Sequence, residues 1–272
     1  MTATLMESGR VVERGDVARP SFAAVLRGEW LKLRTVRSTW WTLLATFVLG
    51  AGLTILMCWG NADWLASADA DESPGSFITW GMMVAQITAV VLGALVVTTE
   101  YGTGMIRTTF AAVPARGRVL AAKAVLVTVV FFVVGTGTAL VGYAGGNYFL
   151  DREGIGMALE GDVLRSMYGS GLYLAGIGIF TLAVGFLLRH TAGTISVVLA
   201  LMLILGNMVN LVPGAVGEWL TKLMPGNAGS AVSTPVAFNP NLLDPWPGFG
   251  VFLVEIAVLL AAAYVVVRRR DA

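Results

Sequence analysis

Hydrophobic positions along this chain fall in long unbroken runs, without the alternation or helical stripe of water-soluble elements. Six runs stand out: Trp40–Trp59, Ile78–Thr98, Ala124–Tyr143, Tyr168–Leu188, Ala192–Val212 and Phe249–Val267. About 20 apolar residues in a helix cross roughly 30 Å of hydrocarbon. Each run is bounded by charges, by Gly/Pro clusters or by both. The first begins only after 39 mostly polar residues, unlike the apolar region of a cleavable signal peptide. The pattern predicts an all-α membrane protein with six transmembrane helices.

Four segments lie outside these runs. In Ser21–Arg37, Phe22, Leu26, Trp30 and Leu33 recur at steps of four, four and three, with Arg27, Lys32, Arg34 and Arg37 mostly on the other face. Ser21 is placed to cap the helix start. A basic helix with one apolar face lies in the membrane interface; the alternative is a positive flank that only assists insertion. Residues 21–38 thus form an interfacial connecting helix after a disordered tail, 1–20, and residues 39–272 hold the six spans.

Between spans two and three, Glu100-Tyr101-Gly102-Thr103-Gly104 ends one helix with two glycines. Met105–Val113 forms about two turns, Pro114 stops them, and Arg116-Gly117-Arg118 follow. A short helix held rigidly there suits the reception of force from a soluble partner; an ordinary basic loop is the alternative. The third segment, Pro213–Gly248, holds six of the nine prolines yet includes apolar Ala215–Met224 and Ala228–Val232. Ten apolar residues are too few to span, so the expectation is a pair of short re-entrant helices broken at Pro225-Gly226-Asn227, with Trp219 and Leu220 on the first; a floppy surface loop is the alternative. The fourth, Ala144–Met167, reads as a solvated connection.

Charge sets the orientation. Fifteen of the 18 Lys and Arg fall on one side if the termini share it, leaving only Arg152, Arg165 and Lys222 opposite. The positive-inside rule therefore puts both termini in the cytoplasm. Composition agrees: 56% of residues are hydrophobic, 13% charged, and mean hydropathy is +0.77. A soluble domain carries about 25% charge, so a soluble enzyme and a disordered chain are both excluded.

Catalytic chemistry is not in evidence. No Gly-Lys dipeptide occurs, which removes the phosphate-cradling loop of ATPases. The single His190 and single Cys58 leave no multi-ligand metal site and no internal disulfide. His190 reads as a flank residue. Basic residues spread along the membrane boundary give no support for nucleic-acid binding. Gly142 and Gly146 have the spacing of close helix packing. Asn207 and Asn210 could bond across helices or line a path. Glu255, in the outer third of span six, should be paired, protonated or facing water, with a functional and a structural role both open.

The entry Arg27-Gly28-Glu29-Trp30-Leu31-Lys32-Leu33-Arg34-Thr35-Val36-Arg37-Ser38-Thr39-Trp40-Trp41 resembles the start of bacterial ABC-2 type transporter permeases. Glu100-Tyr101-Gly102-Thr103-Gly104-Met105-Ile106-Arg107-Thr108-Thr109, followed by Pro114 and Arg116, is similar to the same family, in the form common in high-GC Gram-positive bacteria. The resemblance implies a non-catalytic six-span subunit of the cell membrane with a connecting helix, a coupling helix after span two and re-entrant helices before span six. It implies that two such subunits, identical or different, form the path. Separate P-loop ABC ATPase subunits would carry ATP and Mg²⁺. Carried over, Glu100, Tyr101, Gly102, Thr103, Gly104, Met105, Arg107, Pro114 and Arg116 contact or brace the ATPase, while Trp219, Leu220, Pro225, Gly226 and Asn227 belong to an outer gate. The expected function is ATP-driven export of a small molecule, lipid or peptide. The alternatives are an ion-driven transporter using Glu255 and a non-transporting anchor.

Overall fold

The structure, a computed structural model, describes residues 20–236, 239 and 242–269. Residues 1–19 of the expected tail, with Arg10, Arg14 and Arg19, lie outside the described residues, as do Pro240 and Arg270. The described residues are helical, with no strand among them. Six helices are long and apolar enough to cross a membrane: Arg37–Leu65, Pro74–Gly102, Arg116–Arg152, Gly161–Leu188, Thr191–Leu211 and Pro245–Arg269. All six apolar runs are recovered, and most of the helices overrun them because backbone pairing continues past the apolar stretch. This is a multi-pass membrane protein.

The chain opens with α1 (Phe22–Thr35), started by Ser21, whose hydroxyl accepts from the Ala24 N–H at 3.2 Å. A single extended residue, Val36, turns it into α2 (Arg37–Leu65). The Trp40 indole N–H staples this corner to the Arg34 carbonyl at 2.9 Å. The second crossing consists of the one-turn α3 (Pro74–Phe77) and α4 (Met82–Gly102), and α5 (Met105–Ala112) follows after a tight turn. That turn needs Gly104, whose φ is +73°, a left-handed conformation open to glycine.

Helix α6 (Arg116–Arg152) has 37 residues. At 1.5 Å each it is about 55 Å long, so both its ends project beyond a hydrocarbon layer. The expected loop 144–167 is therefore mostly helix, since α6 runs on through Arg152 and α7 (Gly161–Leu188) starts at Gly161. Nor is the remainder loosely solvated. The Tyr143 hydroxyl donates to the Met157 carbonyl at 2.5 Å, and the Met157 N–H donates to Asn147 Oδ1 at 2.7 Å.

Helix α7 is the centre of the bundle: 78% of its apolar window is buried, against 22–28% for the first, third, fifth and sixth crossings. Small residues allow the approach. Gly142 and Gly146 of α6 face Thr54 and Cys58 of α2, and a Cβ on Gly135 would stand 2.9 Å from the Gly171 Cα. Arg189, with φ +57°, ends α7 in the left-handed conformation, and His190 caps α8 (Thr191–Leu199), its Nδ1 accepting from the Gly193 N–H at 3.0 Å. The expected flank histidine is thus a helix cap.

The fifth crossing continues as a π-helical turn (Ala200–Leu205), a short α9 (Gly206–Met208) and a 3₁₀ turn (Val209–Leu211). Two short helices follow, α10 (Gly214–Leu223) and α11 (Pro225–Ser230), before α12 (Pro245–Arg269). The break between α10 and α11 falls at Met224, because Pro225 suits a first helical turn and Gly226 and Asn227 continue it.

Candidate functional site

The Arg-rich end of the bundle holds a set of four charges drawn from three helices, three of them buried and the fourth, Lys32, half-buried. Glu29 and Lys32 come from α1, Glu100 from the last turn of α4 and Lys123 from the third turn of α6. Lys123 Nζ donates to Glu29 Oε2 at 2.6 Å, to Glu100 Oε1 at 2.6 Å and to the Val96 carbonyl at 3.0 Å. Lys32 Nζ donates to Glu29 Oε1 at 2.7 Å, to Glu100 Oε1 at 3.0 Å and to Thr109 Oγ1 on α5 at 3.1 Å. An ammonium has three donors, and here each has three acceptors. Two cations and two carboxylates cancel, as burial requires. Glu100 Oε2 has no protein partner, and Glu100 and both lysines line a cavity of about 80 Å³.

The electrostatics favour the charged state. Burial pushes the Glu29 carboxyl up, but Lys123 and Lys32 outweigh it and hold it below its ordinary value. Burial likewise pushes the Lys32 ammonium down, while Glu29 and Glu100 outweigh this and raise it above its ordinary value.

This cluster joins α5 to the bundle. Ile106 and Phe110 face inward and are buried, Thr109 accepts from Lys32, and the Arg116 guanidinium lies 5.3 Å from the Phe110 ring centre. Arg116 also donates to the Val267 carbonyl of α12 at 3.1 Å. The opposite face, with Met105, Arg107, Thr108 and Ala111, is exposed. Of the residues read as contacting or bracing a partner, Gly102, Thr103, Gly104, Met105, Arg107 and Pro114 are exposed. Glu100 is 2% exposed and braces the bundle from inside. Tyr101 is half-buried, edge-on to Phe186 with ring centres 6.3 Å apart and 4.9 Å from the Arg189 guanidinium.

Sequence reasoning missed Glu29, Lys32 and Lys123 as members of a site. The inward face of α1 carries Val25, Glu29 and Lys32, while Phe22 and Trp30 are exposed and Leu26 and Leu33 half-buried. Lys123, read as part of a basic loop, lies inside α6 and is 2% exposed. The available signal was an acid on a basic helix together with a lysine directly before an apolar run.

At the other end, Arg165 is buried, contrary to its reading as part of a solvated connection. Its guanidinium donates to the carbonyls of Ala231, Val232, Thr234 and Pro235 at 3.1–3.4 Å and pairs through Nε with Asp162 at 3.1 Å. It holds the chain just after α11. Asn227 Nδ2 bridges the carbonyls of Gly206 and Thr221 at 3.2 and 3.0 Å, and Asn210 Oδ1 accepts from Thr221 at 3.0 Å. Asn210 thus bonds to α10, whereas Asn207 donates to Leu203 of its own crossing at 2.6 Å. Trp219 and Leu220 are exposed, with the Lys222 ammonium 5.4 Å from the Trp219 ring centre. Pro225 is half-buried, and Gly226 packs so closely on the Met202 carbonyl that a Cβ would clash. Glu255 is half-buried, with Oε2 unpaired.

No cluster of His, Cys, Asp and Glu among the described residues has the makeup of a metal site. No protein-family model matches this chain, and no curated protein matches it.

Proposed function

We propose that this chain is the membrane-spanning subunit of an ATP-driven exporter, working as a pair with a second permease subunit and powered by separate P-loop ATPases that bind ATP and Mg²⁺. The observation that carries the reading is the charge cluster directly behind α5. A push on the exposed face of α5 meets Ile106 and Phe110 packed in the core and Thr109 bonded to Lys32. It therefore passes to α4 and α6 through Glu100 and Lys123, which share one 2.6 Å ion pair. Alternatives to rigid transmission would need a soft joint here, and two fully bonded ammonium groups make a stiff one.

The supporting roles follow from position. Placed by the positive-inside rule, α5 and the cluster face the cytoplasm. The exposed Phe22, Trp30 and Leu31 of α1 suit the lipid interface, with Arg27 and Arg34 towards head groups. Helices α10 and α11 serve as the re-entrant gate in the outer leaflet, with exposed Val216 and Trp219 facing lipid or the second subunit. Tilting α4 and α6 against the central α7 opens the path. The ion-driven alternative draws on one observation, the unpaired Oε2 of Glu255.

The test is co-purification with P-loop ATPases encoded beside this chain, then ATP hydrolysis in lipid discs. The expected result is a stable complex whose hydrolysis responds to small-molecule, lipid or peptide candidates. Transport that follows a proton or sodium gradient, and stops in Glu255→Gln without any ATPase, would overturn it.

A further inference from the structure

A second, half-open cavity of about 270 Å³ lies at the end of the bundle opposite the charge cluster, bounded by the turn before α4 and its first residues, the middle of α7, the π-helical turn and α11. Gln86 on its wall is 14 residues from Glu100 along α4, about 20 Å away. Its wall mixes apolar Met82, Met83, Met202 and Leu203 with polar groups and carries no carboxylate, amine or guanidinium: Thr79, Trp80, Gln86, Tyr173, Asn207 and Asn227 all face it. Thr79 is 3% exposed, and its hydroxyl has no partner in the protein. A buried hydroxyl left unpaired costs stability unless something in the cavity bonds it.

The remaining wall groups show what kind of molecule that is. Ser230 donates to the Asn227 carbonyl, and Ser233 and Thr234 donate to the Ser230 carbonyl, at 3.2, 2.8 and 3.4 Å. Their hydroxyl protons are spent, so their oxygens face the cavity as acceptors. Tyr173 spends its proton on Gln86 Oε1 at 2.7 Å. Both amide protons of Asn227 go to backbone carbonyls, whereas Asn207 and Gln86 each commit one amide proton, to Leu203 and Met83, and keep a second donor. The wall thus asks for a ligand that donates to the spent hydroxyl oxygens and accepts from Thr79, Asn207 and Gln86, and hydroxyl groups do both. A cation would meet the acceptors but stand uncompensated, since no carboxylate lines the cavity. Trp80 adds a flat apolar surface suited to the carbon face of a ring. The irregular π winding of Ala200–Leu205 has the form that a helix often takes beside a binding site.

We propose that this cavity binds a small, uncharged, hydroxyl-rich ring of the size of one sugar unit, either free or as the head group of a lipid. The site shares α11 with the proposed gate but touches neither α5 nor the charge cluster, so binding there can be read without ATP-driven coupling.

The test uses the full chain in lipid discs prepared without alkyl-glycoside detergents and with no ATPase present, so its outcome does not depend on coupling. Methyl glucoside is titrated by saturation-transfer NMR, with choline and sodium as charged comparisons. The expected result is saturable binding of methyl glucoside at one site per chain, weakened about three- to tenfold in Thr79→Val, kept in Thr79→Ser and lost in Trp80→Ala. Displacement by a monoglucosyl diacylglycerol added to the disc identifies a lipid head group, and no displacement identifies a free solute. Absence of saturable binding, binding indifferent to Thr79→Val and Trp80→Ala, or preference for choline or sodium would overturn the proposal.

Discussion

The two ends of this bundle are held together by different means. At the Arg-rich end, two acids and two bases from α1, α4 and α6 pair with one another at 2.6–3.0 Å, and a hydroxyl of α5 joins them. At the opposite end, the short helices α10 and α11 are held by neutral amide and hydroxyl bonds and by one guanidinium, Arg165, gripping four backbone carbonyls. A mutually neutralising charge cluster has a narrow energy well, because moving any member strands a buried charge. The Arg165 clamp shares its donors between neighbouring carbonyls of the 3₁₀ turn and the residues after it, so one carbonyl can replace the next and the clamp tolerates sliding. The stiff end suits transmission of force and the soft end suits opening.

Mutations that break this contrast should differ in size. The largest effect is expected for Lys123→Met, which leaves two buried carboxylates, Glu29 and Glu100, to share the single cation Lys32. The one uncompensated buried charge costs about 3–5 kcal/mol, read as loss of monodisperse protein on heating in detergent. Adding Glu100→Gln to Lys123→Met should recover part of the loss, because a stranded charge is removed.

Arg165→Ala comes next, at about 2–3 kcal/mol from lost charge-assisted bonds to carbonyls. Its signature is local: hydrogen exchange should quicken in 225–236 and stay unchanged in α5. Equal quickening at both ends would mean that they are not mechanically separate.

Gly104→Ala should cost about 1 kcal/mol, because φ +73° is strained for a residue with a Cβ. Gly104→Pro is incompatible with that φ altogether. The expected result for either is insertion with an impaired α4–α5 joint, so substrate-stimulated hydrolysis falls while the folded fraction barely changes.

The smallest effect is expected from pH within the ordinary range. Glu29 is held below 4.5 when folded, so its contribution is intact above that value and lost as pH falls through the depressed one. Lys32 is raised above 10.5, so its contribution is intact below that value and lost as pH rises through the elevated one. The protection of α1 against hydrogen exchange, corrected for intrinsic rates, should therefore stay flat between about 5 and 10 and fall on both sides. A break near neutral pH would mean that another group controls the cluster.

Much of this architecture was legible in the chain. The six crossings, the Ser21 cap, the α5 turn after Gly104 and the short helices after Pro213 could all be read locally, because apolar run length and backbone chemistry decide them. The charge cluster could not. Glu29 and Lys123 are 94 residues apart and meet only when α1 folds back on α6. Lys123 in isolation looks like a positive flank, and Lys32 looks like one more cation on a basic face. Arg165 misled for the same reason: its partners are backbone carbonyls of 231–235, which carry no sequence signal. The π turn in the fifth crossing arises where Gly226 presses on the Met202 carbonyl, a contact between segments that no local pattern encodes.

The central claim is that the exposed face of α5 takes a push from a soluble partner on the cytoplasmic side. Arg107→Cys tests it directly, since the native Cys58 is buried and stays silent to maleimide. In oriented membrane vesicles the account predicts labelling at position 107 from the cytoplasmic side only, and protection when the partner ATPase is bound. Labelling from the exterior, or labelling that the bound ATPase leaves untouched, would contradict it.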